Sequence, residues 1–134
     1  MKQVVQNYKT GEVKLCEVSV PECGAKRVLV RNYFSLVSIG TERSTIELGK
    51  KSLAGKAAAR PDLVRRVWDK AKKEGLVKTW QEAMGRLDTP TPLGYSTAGE
   101  ILECGNAVTE VSPGDNVACI GQGFASHADI VSIP

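Results

Sequence analysis

The hydrophobic pattern of this 134-residue chain changes period twice, and that change restricts the possible folds more than any other feature. Residues 1–40 contain the alternating, β-branched and aromatic pattern that is typical of strands. Residues 41–87 repeat apolar side chains every three to four positions, which is typical of amphipathic helices. Strand-like segments return from residue 96 onwards. The pattern therefore predicts strands, then a helical insertion, then strands again, arranged as a small barrel or folded sheet.

The predicted strands are bounded by turn residues. Thr10-Gly11 separates two strand-like runs and predicts a hairpin. Pro21 is expected to end the second strand, because proline has no N–H to donate to the ladder. The clearest strand prediction is "RVLVRNYFSLVSI", residues 27–39. The C-terminal third adds four strand-like segments: "STAGEILECG", "VTEV", "NVACIG" and "HADIVSIP".

The helical region has recognisable start and stop signals. Thr41 is predicted to cap the first helix, with Glu42 in its first turn. An Ala-rich, basic connector follows, and Pro61 suits the first position of the next helix. Gly75 separates two apolar stripes, which form an amphipathic helical pair. The apolar positions of the two stripes include both tryptophans, which are expected to be packing residues: Leu63, Val64, Val67, Trp68, Ala71, Leu76, Val77, Trp80, Met84 and Leu87.

A strongly basic segment lies within this helical region. Residues 50–89 contain eleven Lys or Arg and five Asp or Glu, a net charge of +6, whereas the whole chain has a net charge of +3. Such a segment could bind an anion, for example a nucleotide-sugar, an acidic polysaccharide or a nucleic acid. A solvated helix face, or a contact with another domain, is the alternative. Nucleic acid is not the expected partner, because no aromatic residues interleave on the polar faces.

Composition excludes several classes of protein. With 42% hydrophobic and 25% charged residues, the chain has the composition of a globular domain. No run approaches the roughly 18 apolar residues that a membrane-spanning helix needs. The polar N-terminus contains no signal-peptide core. A cytoplasmic protein with no membrane partner is therefore expected, and homo-oligomerisation stays open.

Metal-ligating residues are few and scattered. The four cysteines form no C-x-x-C pair, and without export they are expected to stay reduced and structural: Cys16, Cys23, Cys104 and Cys119. His127 is the single histidine. A catalytic zinc needs three protein ligands and an open position, so zinc binding at His127 is not expected.

One short motif carries most of the functional signal. The stretch "TPTPLGYSTAGEI", residues 89–101, keeps the glycines of the pattern G-H-E-x-x-G-x-V at Gly94 and Gly99. Further structural positions follow at Gly105, Val108, Gly114, Asp115 and Val117, and "VLVRNYFSLVSIGTE" resembles a strand that ends in G-x-C-x-T-D. On these residues the chain resembles the catalytic domain of medium-chain dehydrogenases/reductases over about 1–45 and 90–134.

That resemblance implies a fold and an activity. It implies one mainly β domain over 1–134, a GroES-like partly open β-barrel with a helical insertion at about 42–88. The zinc ligands of the family are replaced, since Ser38, Tyr95 and Ser96 stand where Cys, His and Glu would be. Hydroxyl groups compete poorly with thiolate or imidazole for zinc, so a zinc-independent enzyme is expected. The implied reaction transfers a hydride between NAD(P) and an alcohol or carbonyl substrate, such as a sugar.

The resemblance also assigns roles to individual residues. Thr41 is expected at the proton-relay position, with Tyr95 second and Ser38 third, and Glu42 and Ser96 are expected to contact the substrate. A neutral Tyr hydroxyl can act as a general acid at neutral pH. The alternatives are structural: Tyr95 as an aromatic residue that holds a loop, Thr41 as a helix cap, and Glu42 as a partner of the helix dipole or of a basic side chain.

The family's cofactor domain is not apparent in this sequence. Gly121-x-Gly123 lacks the third glycine and the following helix of a dinucleotide-binding fingerprint. The Rossmann domain is therefore expected to lie outside this chain, and the isolated chain is expected to be inactive. The basic insertion is similar to that of bi-domain oxidoreductases encoded with bacterial surface-polysaccharide genes. A binding module built on that insertion, or a co-chaperonin-like structural barrel, is the alternative.

Overall fold

The computed structural model describes all of Met1–Pro134 and contains seven strands and four helices. In chain order the elements are β1 Lys2–Gln6, β2 Val13–Glu17, β3 Val28–Ser35, α1 Ile39–Lys50, α2 Leu53–Ala59, α3 Pro61–Glu74, α4 Leu76–Asp88, β4 Thr91–Pro92, β5 Ser96–Cys104, β6 Asn116–Ile120 and β7 Ile130–Ile133. The predicted order of strands, helices and strands is confirmed. No helix in the structure is both long enough and apolar enough to cross a bilayer.

The strands form two antiparallel sheets. One has three strands in the order β2-β1-β4, and the other has four strands in the order β6-β5-β3-β7. The β1–β2 pair is the hairpin predicted around Thr10-Gly11, and Gly11 has a φ of 78°, which suits glycine. The predicted arrangement of strands with a helical insertion is confirmed. Both sheets are open, and they do not close into a barrel.

The four-stranded sheet contains the main hydrophobic core. Val30 in β3 is paired with Ile101 in β5 and with Val131 in β7, and all three are buried. Cys119 completes this cluster as a small hydrophobe, as predicted, and burial raises the pKa of its thiol. Gly99 lies so close to the Arg31 main chain that an added Cβ would overlap the carbonyl oxygen. Only glycine fits at this position.

The chain divides into two compact units. The sheet unit comprises Met1–Val5, Lys14–Glu42 and Pro92–Pro134. The helical unit comprises Gln6–Val13 and Arg43–Thr91, and therefore contains most of α1 and all of α2, α3 and α4. Each unit is described separately below.

Polar contacts join the turn segment Gln6–Val13 to helices within the helical unit. The Gln6 side chain is fully buried, and its Nε2 donates a hydrogen bond to the carbonyl oxygen of Ile46 in α1 at 3.1 Å. Lys9 Nζ contacts the Asp88 carboxylate at the end of α4 at 2.8 Å. These bonds connect residues about 40 and 80 positions apart, so they stabilise tertiary rather than local structure.

Two boundary predictions in the helical unit are confirmed, and one is wrong. Pro61 is the first residue of α3, and Gly75 has a φ of 98° between α3 and α4. The predicted connector before Pro61 is instead helical, as α2. The Ser52 side chain accepts a hydrogen bond from the Gly55 N–H at 3.2 Å, and the Ala-rich sequence behind it has a high helix propensity.

The packing prediction for the tryptophans is wrong. Trp68 and Trp80 are 57% and 58% exposed. The buried residues of α3 and α4 are small ones, Ala71 and Thr79, so the large apolar side chains of the hairpin remain largely in solvent. The segment 108–111, predicted as a strand, is also irregular, although its Val111 packs against the core cluster.

Candidate functional site

Three strand ends meet at one edge of the four-stranded sheet. Ser35 ends β3, Ser96 begins β5 and Ile120 ends β6. Ser96 pairs with Ile120, and its carbonyl oxygen accepts a hydrogen bond from the Leu36 N–H at 3.0 Å. The antiparallel register therefore places residues 35–38, 94–96 and 120–121 side by side. All of these residues belong to the sheet unit.

The helix start beside this edge is fixed by a reciprocal pair of hydrogen bonds. The Ser38 carbonyl oxygen accepts from the Glu42 N–H at 2.9 Å, which makes Ser38 the capping residue of α1. Glu42 Oε1 in turn accepts from the Ser38 N–H at 3.2 Å. The predicted cap at Thr41 is therefore wrong, because α1 begins at Ile39 and Thr41 lies inside its first turn. This arrangement resembles a capping box with the carboxylate one position later.

The structure brings a residue that was not predicted to this helix start. His127 Nε2 lies 3.0 Å from Glu42 Oε2, and its Nδ1 lies 2.8 Å from Ser35 Oγ. The side chains of His127 and Glu42 are only 11% and 12% exposed. The main chain of His127 is held as well, since its N–H donates to the Leu93 carbonyl oxygen at 2.8 Å. We call Ser35, Ser38, Thr41, Glu42 and His127 the polar cluster.

Gly94 makes room for this imidazole. Its φ is 91°, and an added Cβ would lie 2.8 Å from both the main-chain N and Nδ1 of His127. A side chain at residue 94 would thus be strained by its backbone and would also clash with the ring. The glycine that the sequence motif keeps therefore has a structural role. It leaves the space that the His127 ring occupies.

The predicted site residues divide into two groups. Ser38, Thr41 and Glu42 lie together, and Ser38 Oγ is 3.3 Å from Thr41 Oγ1. Tyr95 and Ser96 lie at the start of β5, and only main-chain bonds join them to the neighbouring segments: the Ser96 carbonyl oxygen accepts from the Leu36 N–H at 3.0 Å, and the Tyr95 carbonyl oxygen accepts from the Gly121 N–H at 2.8 Å. The signal that could have found His127 is its place as the only histidine, a few residues before the last strand.

The hydrogen bonds define the proton positions in the cluster. A carboxylate oxygen only accepts, so a neutral His127 carries its proton on Nε2, toward Glu42. Nδ1 is then the acceptor for the Ser35 hydroxyl. Nδ1 is therefore the ring atom that faces a hydroxyl and accepts its hydrogen bond. The cluster can therefore accept a proton through an exposed hydroxyl and return it.

The donor set of this cluster does not fit a catalytic zinc. It offers one imidazole and one carboxylate, both ring nitrogens are engaged, and both Glu42 oxygens accept hydrogen bonds. The remaining groups are neutral hydroxyls, which are weak zinc ligands. No group of three His, Cys, Asp or Glu side chains anywhere in the structure is close enough to hold a metal.

The glycine-containing loop at residues 121–126 does not form a dinucleotide-binding fingerprint. Residues 121–126 form turns with no helix after them, and each strand of the four-stranded sheet is antiparallel to its neighbours. A phosphate-binding turn of the Rossmann type opens a helix within a parallel βαβ unit. Gly121 and Gly123 therefore serve the loop before His127 instead of a cofactor.

Exposed apolar side chains lie next to residues of the polar cluster in the chain and at the same sheet edge. They lie on the last part of β3, on the segment that leads to α1, and at the end of β6: Phe34, Leu36, Val37, Ile39 and Ile120. Each is more than half exposed. Exposed apolar side chains beside polar groups are typical of an interaction or ligand site.

Comparison of the sequence with protein-family models and with curated proteins gives no match. The fold, in contrast, is similar to solved oxidoreductases. Quinone oxidoreductase from Coxiella burnetii matches with a TM-score of 0.60 and 20% identity, over 99% of this chain and 34% of that one. Escherichia coli quinone oxidoreductase, solved with NADPH, matches with a TM-score of 0.59 and 11% identity, over 99% and 31%. Galactitol-1-phosphate dehydrogenase from Escherichia coli matches with a TM-score of 0.60 and 18% identity, over 99% and 36%.

These similarities establish the fold. The chain has the fold of the GroES-like catalytic domain of medium-chain dehydrogenases/reductases, as the sequence motifs predicted. It spans about a third of the length of the enzymes that it matches.

Proposed function

We propose that this chain is the catalytic domain of an NAD(P)-dependent oxidoreductase that interconverts an alcohol and a carbonyl compound, such as a sugar, without zinc. The observation that carries the proposal is the hydrogen-bonded series Ser35–His127–Glu42, located beside an exposed apolar surface. The fold gives independent support, because dehydrogenases and a quinone oxidoreductase solved with NADPH share it.

The polar cluster would handle the proton of this reaction. Oxidation of an alcohol removes a hydride from carbon and a proton from oxygen, and a bound nicotinamide supplies the hydride chemistry. The exposed Ser35 hydroxyl can take the proton of the substrate oxygen while it passes its own proton to His127 Nδ1. Glu42 stabilises the imidazolium that forms, as the carboxylate does in a catalytic triad. In the reduction of a carbonyl, the same proton returns.

The hydroxyl residues predicted from the sequence keep a place in this proposal. Thr41 is the second relay hydroxyl, and Ser38 supports it at 3.3 Å. Tyr95 is an alternative general acid from the end of β5, and Ser96 is the proposed substrate contact there. Glu42 changes its role from substrate contact to positioning residue, because both its oxygens are engaged by Ser38 and His127.

The cofactor would be bound by another part of the protein. Because this chain lacks a dinucleotide-binding turn, we propose that a separate domain holds NAD(P) and covers the exposed apolar surface around Leu36 and Ile120. The isolated chain would then bind NAD(P)H too weakly to detect by calorimetry. Micromolar affinity of the 134-residue chain would contradict this division of roles.

The decisive test uses the complete protein that contains this chain, assayed for NAD(P)H-linked turnover of alcohols and carbonyl compounds. The change His127→Ala should lower kcat/KM by about 10²–10⁴-fold, the usual contribution of one acid–base group. The matched variant is Tyr95→Phe, which removes only the phenolic hydroxyl of the competing residue. A large loss in Tyr95→Phe with none in His127→Ala would assign the proton transfer to Tyr95 instead.

Zinc independence has its own test. Activity should survive dialysis against a strong chelator, and metal analysis of the purified protein should find far less than one zinc per chain. Stoichiometric zinc whose removal abolishes activity would overturn the zinc-free mechanism.

A further inference from the structure

The α3–α4 hairpin carries large apolar side chains that nothing in the structure covers. Leu76 and Val77, at the turn, are 66% and 72% exposed. Trp68 faces the same side, because a shallow cavity of about 480 Å³ is lined by Trp68, Ala71, Lys72, Gly75, Leu76 and Val77. We call Trp68, Leu76 and Val77 the apolar tip. Three such side chains around one exposed cavity would be costly to leave in water.

Cations border this tip. Lys72 Nζ lies 5.7 Å from the centroid of the Trp68 ring, and Arg65 is on the other side of Trp68, three residues earlier on the helix. No carboxylate lies within 4 Å of Arg65, Arg66, Lys72 or Lys73. The acidic groups that could neutralise the hairpin are mostly paired with other cations, Asp62 with Arg60 and Glu74 and Glu82 with Lys70.

The exposed apolar side chains and the cations without a carboxylate partner together restrict what the hairpin could bind. A second copy of this chain would bring two like-charged hairpins together, because residues 61–88 contain seven Lys or Arg and five Asp or Glu, a net charge of +2. A nucleic acid or acidic polysaccharide would satisfy the cations and leave Leu76 and Val77 in water. The interface of an anionic bilayer satisfies both, since it accepts Trp and aliphatic side chains below the headgroups and attracts Lys and Arg.

We propose that the α3–α4 hairpin binds the surface of anionic membranes, with the apolar tip in the lipid interface and Arg65, Lys72 and Lys73 at the headgroups. The sequence-based expectation of no membrane partner rested on the absence of a spanning segment, which a surface-bound hairpin does not require. This proposal is independent of the catalytic one, because it involves no residue of the polar cluster.

Intrinsic fluorescence gives a direct assay of binding. Both tryptophans of the chain lie in this hairpin, so their emission reports on it alone. The full 134-residue chain is titrated with vesicles of phosphatidylcholine containing roughly one-third phosphatidylglycerol. We expect a blue shift, co-sedimentation with the vesicles, and partitioning about tenfold or more stronger than into pure phosphatidylcholine. Binding should weaken as salt is raised.

Variants separate the two contributions. The double change Leu76→Ser, Val77→Ser should lower the partition coefficient about tenfold or more, and Lys72→Glu, Lys73→Glu should remove the preference for anionic vesicles. Leu15→Ser is the matched control, because Leu15 is a similarly exposed leucine on β2. It should leave partitioning unchanged. Far-UV circular dichroism establishes that each variant is folded, which is expected since the changed side chains are exposed.

Three results would overturn the proposal. The first is the absence of a blue shift and of co-sedimentation with anionic vesicles. The second is salt-dependent binding to heparin without binding to vesicles, which would indicate an anionic polymer as partner. The third is a dimer that Leu76→Ser, Val77→Ser dissociates, in a protein that does not bind vesicles.

Discussion

The sheet unit buries its apolar side chains, whereas the helical unit exposes them. Val30, Ile101 and Val131 are almost fully buried between strands that are far apart in sequence. In α3 and α4 the buried residues are Ala71 and Thr79, and the tryptophans and most large aliphatic residues face water. Both units contain residues with the right apolar period. A correct period therefore shows where an amphipathic face is, and not whether another part of the protein covers it.

The polar groups differ in the same way. In the sheet unit, the half of the series formed by His127 and Glu42 is mostly buried and ends at the exposed Ser35, and the strand ends and a glycine hold it in place. In the helical unit, ion pairs such as Lys70–Glu82 lie on the surface, where each contributes little. A rigid edge with few, well-held polar groups suits catalysis. A charged surface with exposed apolar groups suits binding.

The largest expected effect tests the difference in burial. Ile101→Ala should destabilise the protein by about 2–5 kcal/mol, because it removes a side chain from a closely packed core. Leu76→Ala, at an exposed position of the helical unit, should change the free energy of unfolding by less than about 0.5 kcal/mol. Chemical denaturation measures both values. Equal losses of unfolding free energy would mean that Leu76 is packed in solution, and that the two units do not differ in the burial of their apolar side chains.

The next effect tests the role of Gly94 against a matched glycine. Gly114 has nearly the same φ, 94° against 91°, but an added Cβ there would meet nothing within 4 Å. Gly114→Ala should cost about 1–2 kcal/mol from the backbone conformation alone. Gly94→Ala should cost a further ~1–3 kcal/mol, because its methyl group clashes with His127. Unfolding free energies of the two variants that agree within error would show that the imidazole does not occupy the position described here.

The smallest effect concerns acid. A hydrogen bond from Arg60 lowers the pKa of Asp62 to about 2, and Lys70 and Lys9 lower the pKa values of Glu82 and Asp88. Groups with a lowered folded pKa contribute stability above their unfolded pKa, and this stability is lost as the pH falls through the folded value. Because each of these exposed pairs contributes little, the helical unit should lose only a small part of its helix between about pH 4 and pH 2.

That acid transition distinguishes the two units. Far-UV circular dichroism should report the loss of helix, while amide protection in β5 persists to lower pH. Asp62→Asn should remove part of the transition. Simultaneous loss of helix and of β5 protection, or a helical signal that stays constant down to about pH 2, would contradict it.

The sequence predicted most of the fold because the relevant signals are local. Pro61, Gly75 and the change of period each act within a few residues, and the structure confirms the boundaries they imply. The missed helix α2 had a local signal too, a serine cap before an Ala-rich run. The error at Trp68 and Trp80 had a different cause, since burial depends on what the rest of the molecule covers.

The candidate site was only partly predictable. Ser38, Thr41 and Glu42 adjoin one another in the sequence, and a family motif identifies them. The contact between Glu42 and His127 joins residues 85 positions apart, and it exists only because β3, β5 and the final loop meet at one sheet edge. In the sequence, His127 stands alone and far from Glu42, so its pairing with that carboxylate has no local signal.

The protonation state of His127 tests the central claim most directly. Because it is the only histidine, nitrogen-15 NMR of the labelled chain observes its ring without ambiguity. At a pH where the ring is neutral, we predict a single tautomer with the proton on Nε2, and loss of that preference in Glu42→Ala. A proton on Nδ1, or a rapidly averaging mixture of tautomers in the unmodified chain, would contradict the proposed relay from Ser35.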